Sequence, residues 1–218
     1  MVTQIKGNKF FERIIGAGYL SKENPLIDNF VNTKSKIASI LLVSGFVLIQ
    51  YLLSQFKFFL PDNPVPITMQ TFGILMLGSL YGLRLTLISI TIYLALGIIG
   101  LPIFQGHNGG VDYFMGVTGG YLIGFFFASI LGSFLSTRGL RAGLSIWAML
   151  YANIVIYIPA LIWLTIFDFS WPENGKLLSQ AVYPFLIGDF IKLIFASLIM
   201  SAKQQIMQML YFLTKLFP

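Results

Sequence analysis

Long apolar runs broken by single charges or short charged clusters dominate the chain, and they set the expected elements. Residues 37–56, 63–83, 85–107, 113–137 and 142–167 contain no Asp, Glu, Lys or Arg. A helix needs about 20 mostly apolar residues to cross a hydrocarbon core. All five stretches are long enough, with the second helix expected to start near Ile67, past Pro64 and Pro66. A sixth stretch, residues 181–200, is apolar except for Asp189 and Lys192. The pattern predicts an all-α integral membrane protein with six transmembrane helices. Sheet is disfavoured, because barrel strands need alternating segments of about ten residues and these runs are continuously apolar.

The charges between the spans predict an orientation. An even number of spans puts both termini on one side. That side collects Lys6, Lys9, Arg13, Lys22, Lys34, Lys36, Arg84, Arg138, Arg141, Lys203 and Lys215. The other side collects only Lys57 and Lys176, with Asp62, Asp112, Asp168 and Glu173. The bias of Lys and Arg towards cytoplasmic loops makes both termini cytoplasmic. Basic loops facing anionic headgroups also account for the net charge of +6 without a nucleic-acid partner.

Composition narrows the function classes. Of 218 residues, 56% are hydrophobic and only 10% charged, against about 25% charged in a typical soluble domain. The mean hydropathy is +0.82. A soluble enzyme is therefore disfavoured. Cysteine is absent and His107 is the one histidine, so neither a thiolate nucleophile nor a Cys- or His-rich metal site is expected. No Gly-x-x-x-x-Gly-Lys-Ser/Thr, His-Glu-x-x-His or Gly-x-Ser-x-Gly run occurs, which leaves ATP hydrolysis by a P-loop and the usual hydrolytic centres without their residues. No cofactor is expected.

Three regions follow. Residues 1–35 form a cytoplasmic N-terminal segment without the apolar core of a cleavable signal peptide. Within it, Phe10, Phe11, Ile14 and Ile15 suit a short surface helix. Residues 36–202 form a six-helix substrate-binding membrane domain. Residues 203–218 form an amphipathic tail, with Ile206, Leu210, Leu213 and Phe217 at helical spacing. That tail suits either an interfacial helix or a docking element.

Chemistry is expected where polarity is expensive. Asp189 and Lys192 are the only ionisable residues inside a span, and each costs about 2.5–3.5 kcal/mol at a helix centre on insertion scales. At spacing i, i+3 they share a face and neutralise each other. They lie towards the outer side, reachable from outside. The alternative is a buried ion pair that only sets helix register, in a membrane scaffold. Gln70, early in the second helix, either caps backbone or touches a ligand. Asn153 suits an interhelical hydrogen bond, and Arg84, Arg138 and Arg141 suit cytoplasmic anchoring. The glycine-rich loop 100–117, with Gln105, His107, Asn108 and Asp112, either lines a pocket or is an exposed connector, the latter preferred for His107 and Asp112. In the fourth span Gly116, Gly120, Gly124, Ala128, Gly132 and Ser136 recur every fourth residue, a stripe that admits a second backbone. Packing within the molecule is the preferred use, and contact with another subunit the alternative. Together these residues predict one outward-facing site for a small, mostly apolar solute with a few hydrogen-bonding groups.

Three motifs sharpen this. Residues 64–71, PVPITMQT, resemble the PVPIT-x-QT segment of BioY proteins. GLPIF at 100–104, Gly109-Gly110 and TGGYLIGF at 118–125 resemble their GLPVF…GG…PTGGYLxGF stretch. PFLIGDFIK at 184–192 is similar to their PF-x-x-GD-x-x-K. The resemblance covers about residues 37–200. It implies a biotin-specific S component of an energy-coupling factor (ECF) transporter in the cell membrane. Such a subunit is not an enzyme; it captures biotin outside and delivers it inward with a transmembrane T subunit and two ATPase subunits. The resemblance further implies that Asp189, Lys192 and Asn108 bind the substrate, with Gln70 a further candidate contact. The alternatives within transport are a solitary biotin carrier and an S component for another vitamin. Two positions depart from the family pattern. Val117 stands where Pro is usual, and Ala38, Ser39, Ser44 and Gly45 do not form the Ala-x-x-x-Ala used against the T subunit.

Overall fold

A computed structural model describes residues 35–137 and 145–216. The expected surface helix around Phe10, and Arg138 and Arg141, lie outside the described residues. The described chain is helical except for its connections and one two-residue antiparallel pair. The first helix, α1, spans Lys36–Gln55 and starts at Ser35, whose hydroxyl accepts from the Ala38 N–H. Helix α2 spans Gln70–Leu80 and α3 spans Leu83–Ile98. A single turn, α4 (Val111–Phe114), precedes α5 (Gly119–Thr137). Helix α6 covers Ser145–Ile166, α7 covers Leu177–Ala181 and α8 covers Tyr183–Leu216. The expected apolar face of the tail beyond residue 202 lies outside the described side chains, although α8 continues as helix through it.

Among the described residues, four helical segments are long and apolar enough to cross a membrane: Lys36–Gln55, Gly119–Ser136, Ile146–Ile166 and Leu177–Ile199. The second and third expected spans are shorter helices of 11 and 16 residues. At 1.5 Å per residue they reach about 16 and 24 Å, below the ~30 Å of a hydrocarbon core. For α2 the reason lies in its approach. Pro64 and Pro66 favour extended backbone, and β2 (Ile67–Thr68) pairs antiparallel with β1 (Lys57–Phe58). The helix therefore starts at Gln70, three residues later than expected. Eight of the eleven α2 residues are buried, from Gln70 to Ser79, so α2 lies inside the bundle. Helix α3 stops at Ile98 because Gly100 turns the chain with φ +108°.

The small-residue stripe of α5 is used within the molecule. A methyl group at Gly124 would overlap the Ile156 backbone of α6, and one at Gly120 would lie 2.7 Å from the Ala160 Cα. Farther along, Gly78 of α2 meets the Ser129 carbonyl of α5, which a methyl group there would approach to 2.9 Å. Helix α5 thus sits between α6 and α2 at backbone contact, the geometry that small residues allow in lipid.

Candidate functional site

The site grows from α8. Pro184 stands in the first turn of this helix, which starts at Tyr183, and the i, i+3 spacing turns Asp189 and Lys192 to one face, towards the bundle. Both are buried, at 5% and 7% exposure. Lys192 Nζ donates to Asp189 Oδ1 at 2.9 Å. From α6, the Tyr157 hydroxyl donates to Asp189 Oδ2 at 2.6 Å. The carboxylate therefore has a partner on each oxygen, as a buried charge requires. A carboxylate has about four acceptor sites and an ammonium three donors, so both groups keep capacity for a ligand.

Aromatic side chains build the walls around this pair. Tyr121 of α5 packs edge-on to Tyr157 and tilted against Phe185, with centroids 6.3 and 6.0 Å apart. Its hydroxyl donates to the Ala181 carbonyl at 2.7 Å, fastening the α7–α8 junction. Leu122, Phe125 and Ile156 extend the apolar wall, and Val65, Pro66 and Ile67 close the side opposite.

Gln70, the first residue of α2, holds the other end. Its Nε2 donates to the Tyr93 hydroxyl at 2.7 Å, and its Oε1 accepts from Thr68 Oγ1 at 3.2 Å. The Tyr93 hydroxyl donates in turn to the Ile103 carbonyl, which also accepts from Ser54. Gln70 is thereby linked to the loop that follows α3. That loop is pinned by Phe104, fully buried, whose ring lies against Gly97 where any Cβ would overlap it. Gln105 and Tyr113 reach the pocket from this loop, and Thr118 from just before α5.

The expected residues separate accordingly. Asp189, Lys192 and Gln70 line one cleft. Asn108 does not. It is exposed, and its Nδ2 donates to the Gln105 carbonyl at 2.8 Å. Left-handed backbone at Gly106 and His107 turns the loop so that Gln105, not Asn108, faces inward. His107 is exposed beside Tyr51, and Asp112 is exposed too, as the connector reading expects. Asn153 is buried, and its Oδ1 has no partner among the described residues. Tyr157, Tyr121, Tyr93 and Thr68 were not singled out by sequence. A signal existed: tyrosines in the middle of apolar spans need a partner for the hydroxyl.

The segment between β1 and β2 fastens to the region around α7. Asn63 Nδ2 donates to the Gln180 carbonyl at 3.1 Å, and the Gln180 side chain exchanges two bonds with Glu173. Lys176 donates to Glu173 at 2.7 Å, and this bond, with that from Gln180, holds the Glu173 carboxyl below its usual range. The cleft beside Asp189 and Lys192 has a volume of about 60 Å³, room for a few waters. A larger groove lies elsewhere, but it is lined by apolar side chains apart from its cationic end, two serines and Tyr51. Buried charge with remaining hydrogen-bonding capacity, not volume, makes the α8 cleft the candidate site.

Residues 28–209 match the model of the BioY family. The chain belongs to the BioY family. A probable biotin transporter BioY of Pyrococcus horikoshii is 34% identical over 130 residues, which cover 60% of this chain and 75% of that protein. A biotin transporter BioY of Lactococcus lactis subsp. cremoris is 39% identical over 137 residues, covering 60% and 71%. The fold matches, with TM-score 0.68 and 29% identity, a crystal structure of the S component for biotin from an ECF-type ABC transporter. That match covers 81% of this chain and 95% of the other. BioY relatives are named as transporters, which agrees with a site holding ligand contacts rather than catalytic groups.

Proposed function

We propose that this BioY protein captures biotin from the outer side of the cell membrane and delivers it inward. The observation that carries this is the buried Asp189–Lys192 pair at the base of an aromatic-walled cleft. Biotin is a compact bicycle whose ureido group offers two N–H donors and one carbonyl acceptor, beside an apolar ring and a carboxylate tail. The Asp189 carboxylate accepts a ureido N–H. Lys192 donates to the ureido oxygen or to the tail carboxylate. Gln70 and the inward-facing Gln105 complete the polar set, while Tyr121, Phe125 and Phe185 cover the apolar ring. Asn108 is a third polar contact only if the loop turns inward as it closes on the ligand.

Small-molecule sites usually enclose about 300–1,000 Å³, well above the 60 Å³ found here. Biotin entry therefore requires the outer connections to part. We place α2 and α3 as the second and third of six spans, short because neighbouring helices cover their ends, with both termini cytoplasmic. Residues 36–202 are then the substrate-binding domain, flanked by a cytoplasmic segment and an amphipathic tail. Without a P-loop, the energy for release comes from partners, a T subunit and two ATPases. Titration of the purified protein with biotin and with other vitamins tests the proposal. Saturable binding of biotin alone is expected; no biotin binding, or tighter binding of another vitamin, contradicts it.

A further inference from the structure

Lys57 stands in β1, opposite Thr68 of β2, and is exposed. Residues directly opposite in an antiparallel pair carry their side chains on the same face, and Thr68 lines the α8 cleft. The Lys57 ammonium rests against the loop that follows α3. A Cβ built on Gly106 would lie 2.7 Å from Lys57 Nζ, so the glycine leaves the room that the ammonium takes. Gly106 follows Gln105, which also lines the cleft. Lys57 therefore sits at the rim, between two lining residues from different elements.

The charges in and around the cleft leave this cation available. Lys192 is matched by Asp189, and Lys176 by Glu173. Among the described residues no carboxylate lies within ion-pairing distance of Lys57. Its ammonium lies 5.7 Å from the centroid of the Phe59 ring, and an aromatic face attracts a cation without neutralising it. The Asp189–Lys192 pair sums to zero charge, so a solute that brings a carboxylate needs a second cation. We infer that Lys57 is that cation and makes the site select a free carboxylate on the solute. The inference rests on the biotin reading above and deepens it. The tail carboxylate meets Lys57 at the rim, and Lys192 is left to the ureido oxygen. An exposed ion pair contributes at most about fivefold in affinity, or ~1 kcal/mol. A rim charge also steers an anion towards the site, at a rate that salt reduces.

Equilibrium binding to the purified full-length protein, with biotin and its uncharged primary amide as probes, tests this. The parent is expected to prefer biotin about fivefold. Lys57→Gln brings the two probes to about equal affinity by weakening biotin alone, and Lys57→Arg keeps the preference. Unchanged binding of the amide by Lys57→Gln shows at the same time that the variant is folded. In stopped-flow experiments the association rate of biotin falls with added salt in the parent, and this dependence weakens in Lys57→Gln. Equal affinity for acid and amide in the parent, or a preference that survives Lys57→Gln, overturns the inference and leaves the biotin reading standing. A parent protein that binds neither probe overturns the biotin reading, and the inference with it.

Discussion

At the scale of single residues, a charge inside an apolar span carries the information. Asp189 and Lys192 stand out in the sequence because nothing about membrane insertion explains them, and the fold seats them on one buried face. Their supports are less visible. Tyr157 counts as an apolar aromatic in any hydropathy profile, yet its hydroxyl holds one oxygen of Asp189. Hydrogen bonds to charged groups contribute about 1.5–3 kcal/mol. Tyr157→Phe keeps the ring and loses that bond, so chemical unfolding is expected to show a loss of about 1.5 kcal/mol or more. Biotin should also dissociate several-fold faster; unchanged stability and off-rate together would remove Tyr157 from the site. The loop residues show the opposite difficulty. Asn108 and Gln105 lie three apart in an irregular segment, where no periodicity tells which side chain turns inward. Left-handed backbone at Gly106 and His107 decides it, and only coordinates reveal that. Gln105→Ala is accordingly expected to weaken biotin more than Asn108→Ala in side-by-side titrations, the reverse order favouring loop rearrangement.

At the scale of elements, gaps between charges located the four long helices closely, because an apolar run of full length leaves little freedom in lipid. They misjudged α2 and α3. An uncharged run does not show where Pro64 and Pro66 keep the chain extended, nor that neighbours cover a short helix. The glycine stripe of α5 was legible as a packing face, and the backbone contacts with α6 and α2 give it its use within the molecule. Gly124→Val therefore forces α5 and α6 apart. Overpacking of this kind costs about 1–3 kcal/mol, and a lower melting temperature in detergent would register it; an unchanged one would mean the helices part freely. Asn63 ties the segment between β1 and β2 to Gln180 of α7, a connection that biotin entry crosses under the proposed function. Asn63→Ala is expected to raise both association and dissociation rates of biotin in stopped-flow experiments while changing affinity little. Unaltered rates would mean that entry does not pass this contact.

At the scale of the whole molecule, capture and energy supply separate. Among the described residues the Asp189–Lys192 pair lines a buried polar cleft, and the sequence carries no P-loop motif; under the proposed function this chain binds the ligand and its partners power release. Family membership and the S-component fold agree with that division. The α1 surface departs from the small-residue pattern expected against a T subunit. Gly45 faces open space there, and purification from native membranes shows whether ATPases accompany the chain. Ligand binding by the Asp189–Lys192 pair on α8 is tested most directly by calorimetric titration of biotin into the parent protein, Asp189→Asn and Lys192→Ala. Each substitution is expected to weaken biotin at least tenfold, about 1.4 kcal/mol, in protein that remains folded. Folded variants that bind biotin as tightly as the parent would show the pair to be structural and place the ligand elsewhere.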